Sequence, residues 1–225
     1  MNIEQARFNM IEQQIRPWHV SNSAVLGLLS TVKREDFVPA AHKGLAFADL
    51  EIPLMGSGEE ALAKGQCMLP PRLDARMLQD LAVRPTDTVL EIGAGSGYMA
   101  ALLASMAQRV ISVEINADLA ALARTNLRNA GIQNVEVRQA DGAKMGAVDG
   151  SFDVIVMSGS VTEVPHNLLG LLKVGGRLGA IVGEEPIMRA TVVTRTGDST
   201  FSTVTGWDTL APRLLNFPEP SRFKL

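Results

Sequence analysis

Seven consecutive residues, Glu91-Ile92-Gly93-Ala94-Gly95-Ser96-Gly97, set an acid and three glycines between an apolar run and a helical pattern. Glycine lets the backbone turn sharply and lets a ligand approach with no Cβ in the way, and a helix opening there presents N–H groups. Glu114 closes the next apolar run, about 20 residues beyond Gly93, where a carboxylate can accept from ribose hydroxyls. Asp141, followed by Gly142, closes the third, where a carboxylate can meet an adenine amino group. Taken singly, a glycine loop commonly serves only the turn, and a strand-end acid is commonly solvated. In this order they define a nucleoside site, with Ala94, Ile115 and Ser158 as its neighbours.

The spacing discriminates between nucleoside cofactors. The dinucleotide fingerprint G-x-G-x-x-G/A has a small third residue for close helix packing, whereas this chain writes G-x-G-x-G followed by Tyr98. Glu91 would repel a pyrophosphate but tolerates a sulfonium cation with an amino-acid tail. S-adenosylmethionine is therefore expected in preference to NAD, and methyl transfer is the chemistry that goes with it.

A sheet must bring these positions together. The apolar periodicity predicts strands at residues 89–92, 110–113, 135–137, 152–156 and 177–182, with helices at 98–106, 117–129 and 163–173. Asn116 can cap the second of these helices and Gly131 can end it. Residues 191–194 and 201–205 form a hairpin around 196–199. The expected fold is α/β: a Rossmann-like class I methyltransferase sheet, mostly parallel, with an antiparallel terminal hairpin and an N-terminal helical extension.

That extension starts with helical spacing over residues 3–16 (Phe8, Ile11, Ile15), stopped by Pro17. A helix capped within 21–23 follows, with Val25, Leu28, Leu29 and Val32 on one face. Residues 36–71 break into proline, glycine and short apolar pieces, with a turn at 55–58, before Pro70-Pro71 opens a helix through Leu73, Met77, Leu78 and Leu81. The organisation expected is an N-terminal extension with a substrate-side loop (1–75), a cofactor-binding core (76–210) and an extended tail (211–225).

Composition narrows the classes. Hydrophobic residues make up 46% and charged residues 20%, enough for a real core, and the formal charge of −3 implies no basic face for nucleic acid. No stretch reaches the roughly 18–20 apolar residues of a membrane span, and the N-terminus lacks a signal-peptide core. Cys67 is the only cysteine and there are three histidines, which disfavours disulfides and a zinc site and points to a reducing cytoplasm.

The string VLEIGAGSGYMAALLA (89–104) resembles the first motif of the protein-L-isoaspartate O-methyltransferases, which repair damaged aspartyl and asparaginyl sites in proteins. VKREDFVP (32–39), AFADLEIPL (46–54), Gly65-Gln66, FDVIVMSG (152–159) and LKVGGRL (172–178) are similar to further phrases of that family. The resemblance runs to about residue 185. It implies that Glu91, Gly93, Gly95, Ser96 and Gly97 surround the methionine part of the cofactor, Glu114 the ribose and Asp141-Gly142 the adenine. It also implies a seven-stranded sheet and a protein or peptide substrate bearing isoaspartyl residues.

One segment departs from the family. Where the family writes G-Q-T-I-S-x-P, with its serine beside the methyl-transfer site, this chain has Gly65-Gln66-Cys67-Met68-Leu69-Pro70-Pro71. Leu69 can neither donate nor accept a hydrogen bond. The acceptor-side candidates are Gln66, Cys67, Leu69 and Arg72, with no catalytic residue assigned. A carboxylate acceptor is already ionised at neutral pH and needs no general base. Three readings stay open at this stage: an isoaspartyl methyltransferase, a diverged relative with another acceptor, and a non-catalytic S-adenosylmethionine-binding protein.

Overall fold

The computed structural model describes residues 2–219. The N-terminal extension comprises α1 (Ile3–Met10), α2 (Ser23–Thr31), the two-residue strand β1 (Ile52–Pro53), α3 (Gly58–Ala63), β2 (Cys67–Met68), paired antiparallel with β1, and α4 (Pro71–Leu81). Asn22 caps α2 as the sequence predicts, its side chain accepting from the amides of Ala24 and Val25.

Two expectations for this extension need correction. The helix expected over 3–16 is α-helical only to Met10; Ile11–Ile15 widens into a π turn and Arg16–Trp18 tightens into a 3-10 turn. Arg7, Met10, Ile11 and Ile15 face inward, while Phe8 is exposed. Arg7 and Met10, three residues apart, set the inward face within α1 itself, and Phe8 lies off it. The broken stretch 36–71 also contains the short helix α3. Ser57 caps it by accepting from the Glu60 amide, and Glu60 pairs with Lys64 one turn on.

The core alternates strand and helix: β3 (Thr88–Ile92), α5 (Tyr98–Ala104), β4 (Arg109–Glu114), α6 (Ala117–Asn129), β5 (Val135–Gln139), β6 (Phe152–Val161), α7 (His166–Leu169), β7 (Leu172–Glu184), β8 (Ile187–Arg195) and β9 (Phe201–Thr209). One seven-stranded sheet results, in the order β5-β4-β3-β6-β7-β8-β9. It is parallel from β5 through β7 and antiparallel across β8 and β9. The expected mostly parallel sheet with a terminal hairpin is what forms.

Burial on both faces follows the two-residue period of a strand. Val89, Val110, Val154 and Ile181 pack under the N-terminal extension, α4 and α5. Leu90, Ile111, Ile155 and Leu178 point the other way, to Leu168, Leu169 and Phe217.

The helix expected over 163–173 is reduced to the four residues of α7, and Leu172 already pairs with Phe152 in the sheet. Leu168, Leu169, Leu171 and Leu172 are buried, and burial serves strand and helix alike. Gly175-Gly176 therefore lies inside β7, near a register shift, and ends no helix. β6 runs on to Val161, so Met157-Ser158-Gly159-Ser160 belongs to the strand. Tail residue Arg213 makes a single parallel bridge to Ser160, and the chain then turns at 215–216 instead of staying extended. The tail's residues 220–225 lie outside the described residues. Among the described residues no helix is long and apolar enough to cross a membrane.

Candidate active site

Strand order reverses between β3 and β6, and open α/β sheets bind ligands in the crevice beyond the strand ends at such a point. The glycine loop fills the turn after β3. Gly93 has φ +95°, and a Cβ there would meet Leu214 at 3.1 Å and the Ser158 carbonyl at 3.2 Å. Gly97 has φ +84°, and a Cβ there would meet the Ala123 carbonyl and Leu127 of α6 at 3.2 Å. One glycine thus keeps the crevice wall flat and the other admits a neighbouring helix.

The loop amides are turned inward. Gly93 and Ala94 donate to the Val113 carbonyl at 2.8 and 3.3 Å, Gly97 to the Ala94 carbonyl at 2.7 Å, and Gly95 to the Glu114 carboxylate at 3.0 Å. The sequence suggested that this loop would present N–H donors, but the structure commits these four internally. An anion would find them occupied.

The three acids sit at successive strand ends. Glu91 is fully buried in β3; Ser112 donates to one carboxylate oxygen at 2.5 Å and Ser158 to the other at 3.0 Å. Burial pushes this carboxyl up to about 8, against the pull of the two hydroxyls, with Asp74 and Glu114 adding to the rise. Glu114 accepts from the amides of Gly95 and Asn116. Asp141 lies two residues past β5, which ends at Gln139, and caps a short 3-10 turn by accepting from the Ala143 amide.

Glu114, Ile115, Asp141, Gly142 and Ser158 line one crevice with Gly93 and Gly95. Ala94, Ser96 and Glu91 line a smaller cavity behind the loop with Asp74 and Tyr98. Gly97, packed on α6, lines neither. The donor set fits S-adenosylmethionine: a glycine cradle that a Cβ at Gly93 would fill, and carboxylates for hydroxyl and amino donors.

The acceptor-side candidates separate. Gln66 and Cys67 line the cofactor crevice, the Cys67 carbonyl lying 3.8 Å from where a Gly95 Cβ would stand. Leu69 is half-buried; it lines the small cavity behind the glycine loop with Cys67 and Glu91, and also an apolar cavity with Leu73, Met77 and Met99. Its carbonyl accepts from Arg34 at 2.7 Å. Arg72 is not brought to the crevice; it pairs with Asp49, stacks 4.6 Å from the Trp18 ring, and lines an outer groove with Glu51 and Leu210. Burial, then the nearby Glu51 carboxylate, pushes the Cys67 thiol up to about 12.

Several contributors escape sequence reasoning. Ser112 is found only through register, since it pairs with Glu91 across the β3–β4 ladder. Arg34 is a fully buried cation tying Leu69, Ala46 and Asp74 together. Leu214 and Phe217 join the crevice from the tail, where no local pattern marks them.

Loop amides turned inward, with the Glu114 and Asp141 carboxylates lining the crevice, suit a cationic nucleoside, and at a switch point of this sheet they define a methyltransferase of the S-adenosylmethionine-dependent class. The family profile described as Protein-L-isoaspartate(D-aspartate) O-methyltransferase (PCMT) matches residues 5–208, and the chain belongs to that family. It is 38% identical over 189 residues to the protein-L-isoaspartate O-methyltransferase of Koribacter versatilis, covering 84% of this chain and 81% of that one. The corresponding protein of Petrotoga mobilis is 33% identical over 199 residues, covering 88% and 90%. A PCMT-type structure from Plasmodium falciparum, solved with S-adenosyl-L-homocysteine, superposes with a TM-score of 0.77 at 18% identity over 95% of this chain and 98% of that one. At that identity the likeness speaks to the fold. The chain is an S-adenosylmethionine-dependent methyltransferase, and S-adenosylmethionine is its cofactor.

Proposed function

We propose that this enzyme methylates the free carboxyl group of L-isoaspartyl residues in damaged proteins, working in the cytoplasm and without nucleic acid. The observation that carries the reading is the junction of two loops: the segment bearing Gln66 and Cys67 closes directly onto the glycine loop at Gly95. An acceptor held by the N-terminal extension therefore arrives at the cofactor crevice. The match to relatives named for this activity, over most of both chains, supports the same substrate.

S-adenosylmethionine supplies a methyl group on a sulfonium, which leaves as a neutral thioether. The protein binds, aligns and dries. Asp141 takes the adenine amino group, Glu114 the ribose hydroxyls, and Glu91 lies behind the loop that faces the methionine part. Leu54, which a Gly95 Cβ would touch at 3.5 Å, and Leu214 keep water from the loop. Alignment of two bound partners can supply roughly 7–11 kcal/mol of the barrier. No proton has to be removed from an ionised acceptor.

The test uses labelled S-adenosylmethionine with matched isoaspartyl and aspartyl peptides. Label on the isoaspartyl peptide alone is the expected result. Label on neither, with cofactor binding seen by calorimetry, would overturn the substrate and leave the methyltransferase in place. The second reading, a different acceptor, is favoured by one observation: Leu69 puts an apolar side chain among Leu73, Met77 and Met99 where the family has a serine.

A further inference from the structure

The family match ends at residue 208, yet the chain beyond it lies against the cofactor crevice. Four hydrogen bonds pin it to the end of β6. The Ser160 amide donates to the Pro212 carbonyl at 2.7 Å and the Leu214 amide to the Ser160 carbonyl at 2.9 Å. The Ser160 hydroxyl donates to the Ala211 carbonyl at 2.7 Å, and the Thr162 hydroxyl to the Pro218 carbonyl at 2.6 Å. Leu214 is thereby laid on Gly93 and Gly159, where any Cβ would collide with it, and Phe217 is buried against the second face of the sheet.

Between these two anchors the chain turns through Asn216, at φ +65°, a left-handed conformation that asparagine tolerates better than most residues. The turn delivers the Asn216 amide to the Asp141 carboxylate at 2.9 Å. Asp141 is now held from both sides. One oxygen accepts from the Ala143 amide at 3.1 Å; the other accepts from Asn216 and lies 3.4 Å from the Lys144 ammonium.

We propose that residues 211–217 complete the cofactor crevice and that Asn216 is a positioning residue, aiming Asp141 at the adenine and making the site selective for a 6-amino over a 6-oxo purine. The inference rests on the reading that Asp141 takes the adenine. A carboxylate offers about four acceptor sites, and three donors here fix its orientation and leave acceptor capacity directed outward. An amino group completes that set. A purine carrying oxygen at the same place would set acceptor against acceptor, the kind of mismatch that polar sites reject strongly. Asn216 itself lies beyond the end of the family match, whereas Asp141 and the anchoring Ser160 and Thr162 lie within it.

The experiment measures binding of S-adenosylhomocysteine and S-inosylhomocysteine to the full chain by calorimetry. Asn216→Gly keeps the left-handed turn and removes only the amide, at an exposed position. It is expected to shrink the adenosyl-to-inosyl affinity ratio about fivefold, as loss of one ordinary hydrogen bond would, with an unchanged melting temperature. In an Asp141→Ala background the same substitution is expected to be silent. A ratio unmoved by Asn216→Gly but collapsed by Asp141→Ala would overturn the positioning role and keep Asp141 as the adenine acceptor. A ratio unmoved by Asp141→Ala would overturn both. Tighter adenosyl binding in Asn216→Gly would show the amide competing with adenine, and would also overturn the proposal.

Discussion

Glu91 and Ser112 stand opposite each other in the β3–β4 ladder, both fully buried, and the serine hydroxyl donates to the carboxyl at 2.5 Å. Ser158 closes the arrangement from β6, the other flanking strand. The acid nearest the glycine loop is thus held by its two sheet neighbours.

The first expectation concerns pH. Burial raises Glu91 from 4.5 to about 8, so over that window the folded protein holds a proton that the unfolded chain has released. Its stabilising contribution is complete below the unfolded value and is lost as pH rises through about 8. Asp74, raised by burial to about 7 against the pull of Arg34, acts in the same direction. Thermal melts between about pH 5 and 9 should show stability falling with pH, and Glu91→Gln should flatten the slope. A cationic sulfonium favours the ionised carboxyl, so S-adenosylmethionine affinity should rise with pH more than that of neutral S-adenosylhomocysteine. Equal pH dependence for the two would sink this account.

Arg34 should prove costly to remove. It is 1% exposed, donates to the carbonyls of Leu69 and Ala46, pairs with Asp74 at 3.4 Å and lies 5.0 Å from the Tyr98 ring. Arg34→Met leaves both carbonyls and a buried acid without their cation. The expected loss is about 3 kcal/mol, or roughly 6–12 °C in Tm for a chain of this size. A calorimetric shift under about 2 °C would refute it.

Cys67 should be slow to react despite facing the crevice. With its thiol pushed up to about 12 by burial and by Glu51, very little thiolate is present near neutral pH. Alkylation by iodoacetamide is expected to be on the order of a hundredfold slower than for an ordinary thiol. Glu51→Gln should speed it. A rate matching that of free cysteine would mean the pocket opens readily.

Leu69→Ser restores the hydroxyl that the family carries beside the methyl-transfer site. Arg34 holds the Leu69 carbonyl, so the backbone should keep its place while the apolar cavity loses a side chain. The expected outcome is a higher kcat/KM for isoaspartyl peptide together with a lower Tm, a loss of about 1–3 kcal/mol. No gain in a folded, cofactor-binding variant would show that the missing hydroxyl does not limit the reaction.

The glycine loop and its acids are legible in sequence because each depends on a few adjacent residues. Gly93 and Gly97 reveal their positive φ through residue type alone, and Asn116 caps α6 two and three residues ahead of itself. The segment 163–173 misleads for the opposite reason. Its leucines satisfy a helix and a buried strand equally, and only the pairing of Leu172 with Phe152 decides between them.

From the sequence alone came the alternation of strand and helix, the nucleoside-binding loop, the preference for a sulfonium cofactor and the family. Only the tertiary structure decided that the loop amides turn inward, that Arg72 is committed to Asp49 outside the crevice, and that Asn216 meets Asp141 from 75 residues away. Periodicity, caps and glycine conformations are carried by neighbours in the chain. A hydrogen bond between distant residues exists only once strand order and register have brought them together.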